Sequence, residues 1–213
     1  MVEQQPGGVS LSKITLTKSA PSISLSKGAG AGGQMRINLN WSQPAPAKGF
    51  LKRALGGASA VDLDLGCLWE TTDGSKGVVQ ALGNAFGNLH QPPYVLLDGD
   101  DRSGTSTGGE NLVVNLDRLD QIRRVLVFAY IYEGAPNWAA ADGVVTLYPA
   151  GGAAPIEVRL DEPAADKRFC AIALLTNEGG SLGVRREVQY VAGWQPELDK
   201  AYGWGMNWTS ASK

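Results

Sequence analysis

Apolar residues recur at every second position along much of this chain, and that spacing commits it to strands rather than helices, which would need a period near 3.6. Met35, Ile37, Leu39 and Trp41 alternate with Arg36, Asn38 and Asn40, which describes a strand with one buried face. The same pattern returns at Leu112, Val114 and Leu116, and at Ile156, Val158 and Leu160. Residues 125–132 are apolar on both faces, as a strand in the middle of a sheet must be. Further strands are expected at 62–71, 94–97, 144–148, 168–176 and 186–191, with helix confined to about one turn near 196–202. Asp73-Gly74, Pro92-Pro93, Asp142-Gly143, Gly151-Gly152 and Gly179-Gly180 supply the turns between them.

Many short strands with glycine-rich connections predict an all-β fold, a β-sandwich of two mainly antiparallel sheets with little helix. The 28 glycines and 11 prolines agree with that, and 43% hydrophobic residues suffice for a core. Residues 1–8 read as a flexible N-terminus and 9–213 as one domain, because no composition break interrupts the strand pattern. An internal echo marks the beginning: Val9-Ser10-Leu11-Ser12-Lys13, Ile14-Thr15-Leu16-Thr17-Lys18 and Ile23-Ser24-Leu25-Ser26-Lys27. Its lysines suit edge strands, where charge discourages pairing with other chains.

A net charge of −2 provides no field for nucleic acid or an anionic membrane. One histidine, His90, and two cysteines, Cys67 and Cys170, exclude the usual zinc sites within one chain. Both cysteines lie in apolar segments and read as buried reduced thiols, a disulfide between them being the alternative. The first residues lack a basic stretch followed by an apolar run, so a cytoplasmic location is expected, and no run is long enough to span a bilayer as a helix. His90 lacks a G-x-S-x-G nucleophile motif to serve, and the glycine run 28–33 is not followed by the G-K-[ST] of a phosphate loop. Trp194, Trp204 and Trp208 with Tyr190 and Tyr202 form an aromatic concentration, either core packing or a stacking platform.

Two acidic groups carry the chemistry. Asp62 and Asp64 flank Leu63, so period two puts both carboxylates on one side of a strand, about 6–7 Å apart at Cα. Such a pair needs either a cation between its members or a solvated face. The second group is the segment Asp98-Gly99-Asp100-Asp101-Arg102-Ser103-Gly104-Thr105-Ser106-Thr107-Gly108-Gly109-Glu110, rich in oxygen donors and in glycine. It is either a solvated loop or a calcium loop, since calcium accepts six to eight oxygens in loose geometry. It is not an EF-hand: Arg102 and Ser103 stand at the fifth and sixth positions. Together the two groups hold six of the 21 acidic residues. If they converge, their mutual repulsion is relieved by one or two divalent ions.

These residues resemble the TerD-like family of bacterial tellurium-resistance and stress proteins, whose members are calcium-binding β-sandwiches. The likeness runs over almost the whole chain. It rests on the SLSK elements at 10–13 and 24–27, the strand ending at Trp41, Asp62-Leu63-Asp64-Leu65, Gly99-Asp100-Asp101-Arg102-Ser103-Gly104, and Glu110 leading into Asn115-Leu116. The resemblance implies that Asp62, Asp64, Asp100, Asp101 and Glu110 are calcium ligands. Asp98, Gly99, Ser103 and Gly104 are further oxygen donors of the same segment, and Glu133 and Asn137 stand where members carry polar residues. Many members also carry acids where this chain has 105–109 and Gly66, so weaker calcium binding is implied. The function implied is a cytosolic, non-enzymatic stress protein of the tellurium-resistance type. One or two Ca2+ ions would order a surface for other stress or tellurium-resistance proteins, with no nucleic acid and no membrane insertion. Two rivals remain: a carbohydrate-binding sandwich with structural calcium, and a metal-dependent phosphoester hydrolase.

Overall fold

The computed structural model describes residues 13–26, 30–42, 61–99, 108–135, 137–162, 164 and 166–209. Its strands in chain order are β1 (Ile14–Thr15), β2 (Ser22–Leu25), β3 (Gln34–Asn40), β4 (Asp62–Thr71), β5 (Lys76–Val79), β6 (Gly87–Asn88) and β7 (Val95–Leu97). They continue with β8 (Glu110–Asn115), β9 (Ile122–Glu133), β10 (Gly143–Tyr148), β11 (Ile156–Leu160), β12 (Phe169–Glu178) and β13 (Ser181–Val191). Among the described residues helix is limited to α1 (Trp138–Ala141), α2 (Gln195–Tyr202) and two 3-10 turns at Leu82–Asn84 and Leu116–Gln121. The strands form two sheets, ordered β1-β11-β10-β3-β8-β7-β6 and β2-β13-β12-β9-β4-β5. All pairings between named strands are antiparallel except β1 with β11, so the fold is the expected all-β sandwich.

Alternation dictates what lies between the sheets. Met35, Ile37 and Leu39 of β3, Leu112 and Val114 of β8, and Val125, Val127 and Ala129 of β9 all enter the central core. The opposite face of β9 carries Leu126, Phe128 and Tyr130, and these are buried too, because α2 and Trp204 cover the outside of the second sheet. That is why residues 125–132 read as apolar on both faces: β9 is flanked by β12 and β4 and roofed on both sides.

The cover is held down by polar bonds as well as by packing. Gly203 in left-handed conformation ends α2, and Asp199 accepts bonds from the amides of Gly205 and Met206 and from Trp208 Nε1. Trp204 is fully buried, donates Nε1 to the Trp69 carbonyl at 3.0 Å, and lies under the Arg124 guanidinium at 3.7 Å. The aromatic concentration at the C-terminal end is therefore chiefly packing, although Trp194 remains 49% exposed.

Several elements differ in extent from the sequence pattern. β13 begins at Ser181, earlier than the expected 186, because Gly183 interrupts the apolar alternation; a Cβ there would meet the Glu178 carboxylate at 2.2 Å. β5 was not expected, being four residues with a glycine whose Cβ would strike the Trp69 ring. Of the N-terminal echo, the second unit provides only β1 and the third provides β2, while 9–12 lie outside the described residues. Lys13 and Lys18 are occupied by Glu157 at 2.7 Å and Glu162 at 2.9 Å.

Candidate metal centre

β4 is longer than its neighbour β5. The two pair only from Cys67 to Glu70, so among the described residues no strand pairs with the first half of β4 on that side, while β9 continues along the other side to Asp62. Leu63, Leu65 and Cys67 face the central core and Leu68 faces the outer cluster. By alternation Asp62 and Asp64 share the outer face, with Asp64 opposite Tyr130. Both are buried, Asp64 completely and Asp62 to 6% exposure. Alternation keeps the two carboxylates on one side of β4, although its register with β9 shifts between Asp62 and Leu63, and both are buried rather than solvated.

Glu110 arrives from the other sheet. It is the first residue of β8, it shares the inward face with Leu112, and it is 1% exposed. Its Oε2 accepts a hydrogen bond from the Leu65 amide at 2.6 Å. The side chain thus satisfies a backbone donor of β4 that no described strand reaches on that side. It also brings a third acidic side chain to the peptide that joins Asp64 to Leu65.

The segment from 98 to 110 is pinned at both ends. Asp98 donates its amide to the Asn111 carbonyl at 3.0 Å. At the other end Asn38 Nδ2 donates to the Gly108 carbonyl. Gly109 follows with φ +63, and a Cβ there would lie 2.1 Å from the Leu39 carbonyl oxygen, so glycine is required at this close crossing over β3. Asp100, Asp101, Ser103 and Gly104 lie outside the described residues.

Asp98 is described, and it is exposed, with its carboxylate engaged by Asn111. Gly99 is partly exposed, and a Cβ there would meet nothing within 4 Å. Glu133 is exposed at the end of β9 in register with Asp62, and Asn137 caps α1 by accepting from the Ala140 amide at 2.9 Å. Gly66 explains one departure from the family pattern: a Cβ there would fall 2.7 Å from the Phe128 ring, so an acid has no room.

Among the described residues no three His, Cys, Asp or Glu side chains form a ready-made metal shell. The described share of the site is the buried Asp62 and Asp64 pair and the Glu110 carboxylate at the same edge. Their donor set is all oxygen and anionic, which fits a hard dication such as Ca2+ and suits no soft metal. Burying carboxylates is costly, and a dication is one compact way to offset that cost.

Other reactive groups are poorly placed for chemistry. Cys67 and Cys170 are free and buried, and desolvation pushes both thiols well above their ordinary pKa, so neither presents a thiolate. His90 is exposed on the turn after β6. The residues that sequence reasoning passed over are Asn38 and Asn111, which pin the acidic segment. Their signal was their register: both sit on the polar face of alternating strands that pair directly.

No family model matches the chain. It is 50% identical over 205 residues to the tellurium resistance protein TerA of an Alcaligenes species, an alignment covering 96% of this chain and 60% of that protein. The crystal structure of a homologue of the telluride resistance protein TerD from Streptomyces coelicolor A3(2) shares the fold, with a TM-score of 0.52 at 20% identity over 78% of this chain and 94% of that one. No helix among the described residues is long and apolar enough to cross a membrane. The chain is thus similar in sequence to a tellurium-resistance protein and in fold to a TerD homologue, and it spans about 60% of the length of the curated relative it matches.

Proposed function

We propose that this protein is a calcium-binding, non-enzymatic stress protein of the tellurium-resistance type, acting in the cytoplasm. One or two Ca2+ ions would tie β4 to the 98–110 segment and set the shape of a surface on which other stress or tellurium-resistance proteins assemble. The observation that carries this reading is the burial of Asp62 and Asp64 on β4 together with the Glu110 carboxylate, whose Oε2 crosses from the other sheet to the Leu65 amide. Asp62, Asp64 and Glu110 would hold the ion, with Asp100, Asp101 and Ser103 completing its oxygen shell. The ion's contribution is charge neutralisation and cross-linking of two sheets. The buried, protonated thiols favour this role over a redox one.

An ion bound only by the folded state stabilises it by about 2.7 kcal/mol when present at 100 times its Kd. For a chain of this length that corresponds to a rise in Tm of roughly 5–10 °C. Calorimetric melts in EGTA and in calcium, with titration of calcium into the metal-free protein, test the reading. The expected result is a Tm rise and binding heat that both disappear in Asp64→Asn. A wild-type protein with neither heat nor a Tm shift would refute it.

A further inference from the structure

Asp98 is set apart from the other acids of the candidate site by its surroundings. Both of its carboxylate oxygens accept hydrogen bonds from one residue: Oδ1 from the Asn111 amide at 3.1 Å and Oδ2 from Asn111 Nδ2 at 2.9 Å. Asn111 Oδ1 in turn accepts from Asn38 Nδ2 at 2.9 Å and from Arg36 Nη1 at 3.0 Å, and the Arg36 guanidinium lies 4.0 Å over the Tyr148 ring. Asn38 Nδ2 also reaches the Gly108 carbonyl. A connected row therefore crosses the first sheet from β10 through β3 and β8 to the residue after β7.

The row lies on the face opposite Glu110. Ile37, Leu39 and Leu112 point into the central core, so Arg36, Asn38 and Asn111 point outward. Glu110 points inward, to the Leu65 amide of β4. The two ends of the acidic segment thus have different partners on different faces. The end at 98 is locked to Asn111, and the end at 108 is locked to Asn38, which are cross-strand neighbours.

We propose that Asn38, Asn111 and Asp98 form a clamp that fixes both ends of the acidic segment, and that Asp98 is a positioning residue acting through Asn111 rather than a metal ligand. The proposal rests on the calcium reading above, and it assigns ligand and support roles within one run of acids that look equivalent in sequence. Outer groups that orient a metal site commonly change affinity about 10–100-fold when removed.

A double-mutant cycle on calcium affinity separates the roles, with terbium luminescence as a second readout of ion binding. Asp98→Ala and Asn111→Ala should each weaken calcium about tenfold, and the double variant should again be about tenfold weaker, not hundredfold. Asn38→Asp, nearly isosteric but unable to donate, should match or exceed the loss in Asn38→Ala, whereas Asp64→Asn should abolish binding. Melts in EGTA establish that each variant is folded. Multiplicative losses in the double variant, or abolition by Asp98→Ala alone, would make Asp98 a ligand and overturn the proposal, as would wild-type affinity in Asn38→Ala and Asn111→Ala.

Amide hydrogen exchange of residues 108–111 in EGTA reads the clamp without the ion. Exchange at least tenfold faster in Asp98→Ala and in Asn111→Ala supports it, and unchanged exchange overturns it. A wild type that binds no calcium would refute the proposed function instead, leaving the exchange result to judge the clamp.

Discussion

Replacing Gly109 by alanine probes how tightly the acidic segment is held where it enters β8. The residue sits at φ +63, and its new Cβ would lie 2.1 Å from the Leu39 carbonyl oxygen, 3.1 Å from the Leu39 carbonyl carbon and 3.3 Å from Asn38 Nδ2. The left-handed backbone alone costs a non-glycine residue about 1–2 kcal/mol. Relieving the contact requires the chain to move away from β3 by about 1 Å, and overpacking of that kind costs about 1–3 kcal/mol. The same movement strains the bond from Asn38 to the Gly108 carbonyl, worth about 1 kcal/mol. Gly151 is the control: its φ is +72, but a Cβ there meets nothing within 4 Å. Gly151→Ala should therefore lose only the backbone share, a Tm drop of about 2–8 °C, and Gly109→Ala about 3–6 kcal/mol, or roughly 6–24 °C. Scanning calorimetry in EGTA at pH 7 measures both without interference from metal. If Gly109→Ala melts no lower than Gly151→Ala, the crossing over β3 is not the constraint described here.

Two other perturbations follow from buried chemistry away from the candidate site. Glu70, 2% exposed, bonds Arg124 and Arg123, the latter at 2.9 Å, so Glu70→Ala should cost about 2–4 kcal/mol in urea unfolding by stranding Arg124 against the fold. Arg123→Ala, whose side chain is 66% exposed, should cost under about 1 kcal/mol; equal losses would contradict this ranking. Burial raises the Cys67 and Cys170 thiols, so above about pH 8.5 the unfolded chain releases protons that the folded chain keeps. Stability should then fall with rising pH by about 1.4 kcal/mol per unit for each thiol, with full stability retained below that range. Urea unfolding between pH 7.5 and 9.5 checks the slope, which should shrink in Cys67→Ala; a slope unaffected by removing the thiol would contradict the assignment.

The fold was legible because burial on one face leaves a period of two. β4 and β11 match the expected 62–71 and the run 156–160 at both ends, and the doubly buried β9 was recognisable from its continuous apolar run. Where the period breaks, so does legibility. β12 and β13 shift register between Ala171 and Ala173, and Val188 of β13 takes φ +42. β5 is short and contains Gly77, kept small by the Trp69 ring above it.

At the site, alternation was enough to place Asp62 and Asp64 together, but not to show that their face is buried. That burial is a property of the folded chain, in which Asp64 lies opposite Tyr130 of β9, distant in sequence. The bond from Leu65 to Glu110 depends on β5 ending early, and the clamp at Asp98 depends on the pairing of β3 with β8. Neither is a property of any local segment, and so acids with different partners look alike in the sequence.

A crystal structure of the calcium-loaded protein, with the ion located by its anomalous scattering, tests the central claim most directly. The account predicts a peak about 2.3–2.6 Å from carboxylate oxygens of Asp62, Asp64 and Glu110, with Asp98 still held by Asn111. A peak whose ligands exclude all three buried acids, or the lack of any peak in protein saturated with calcium, would contradict it.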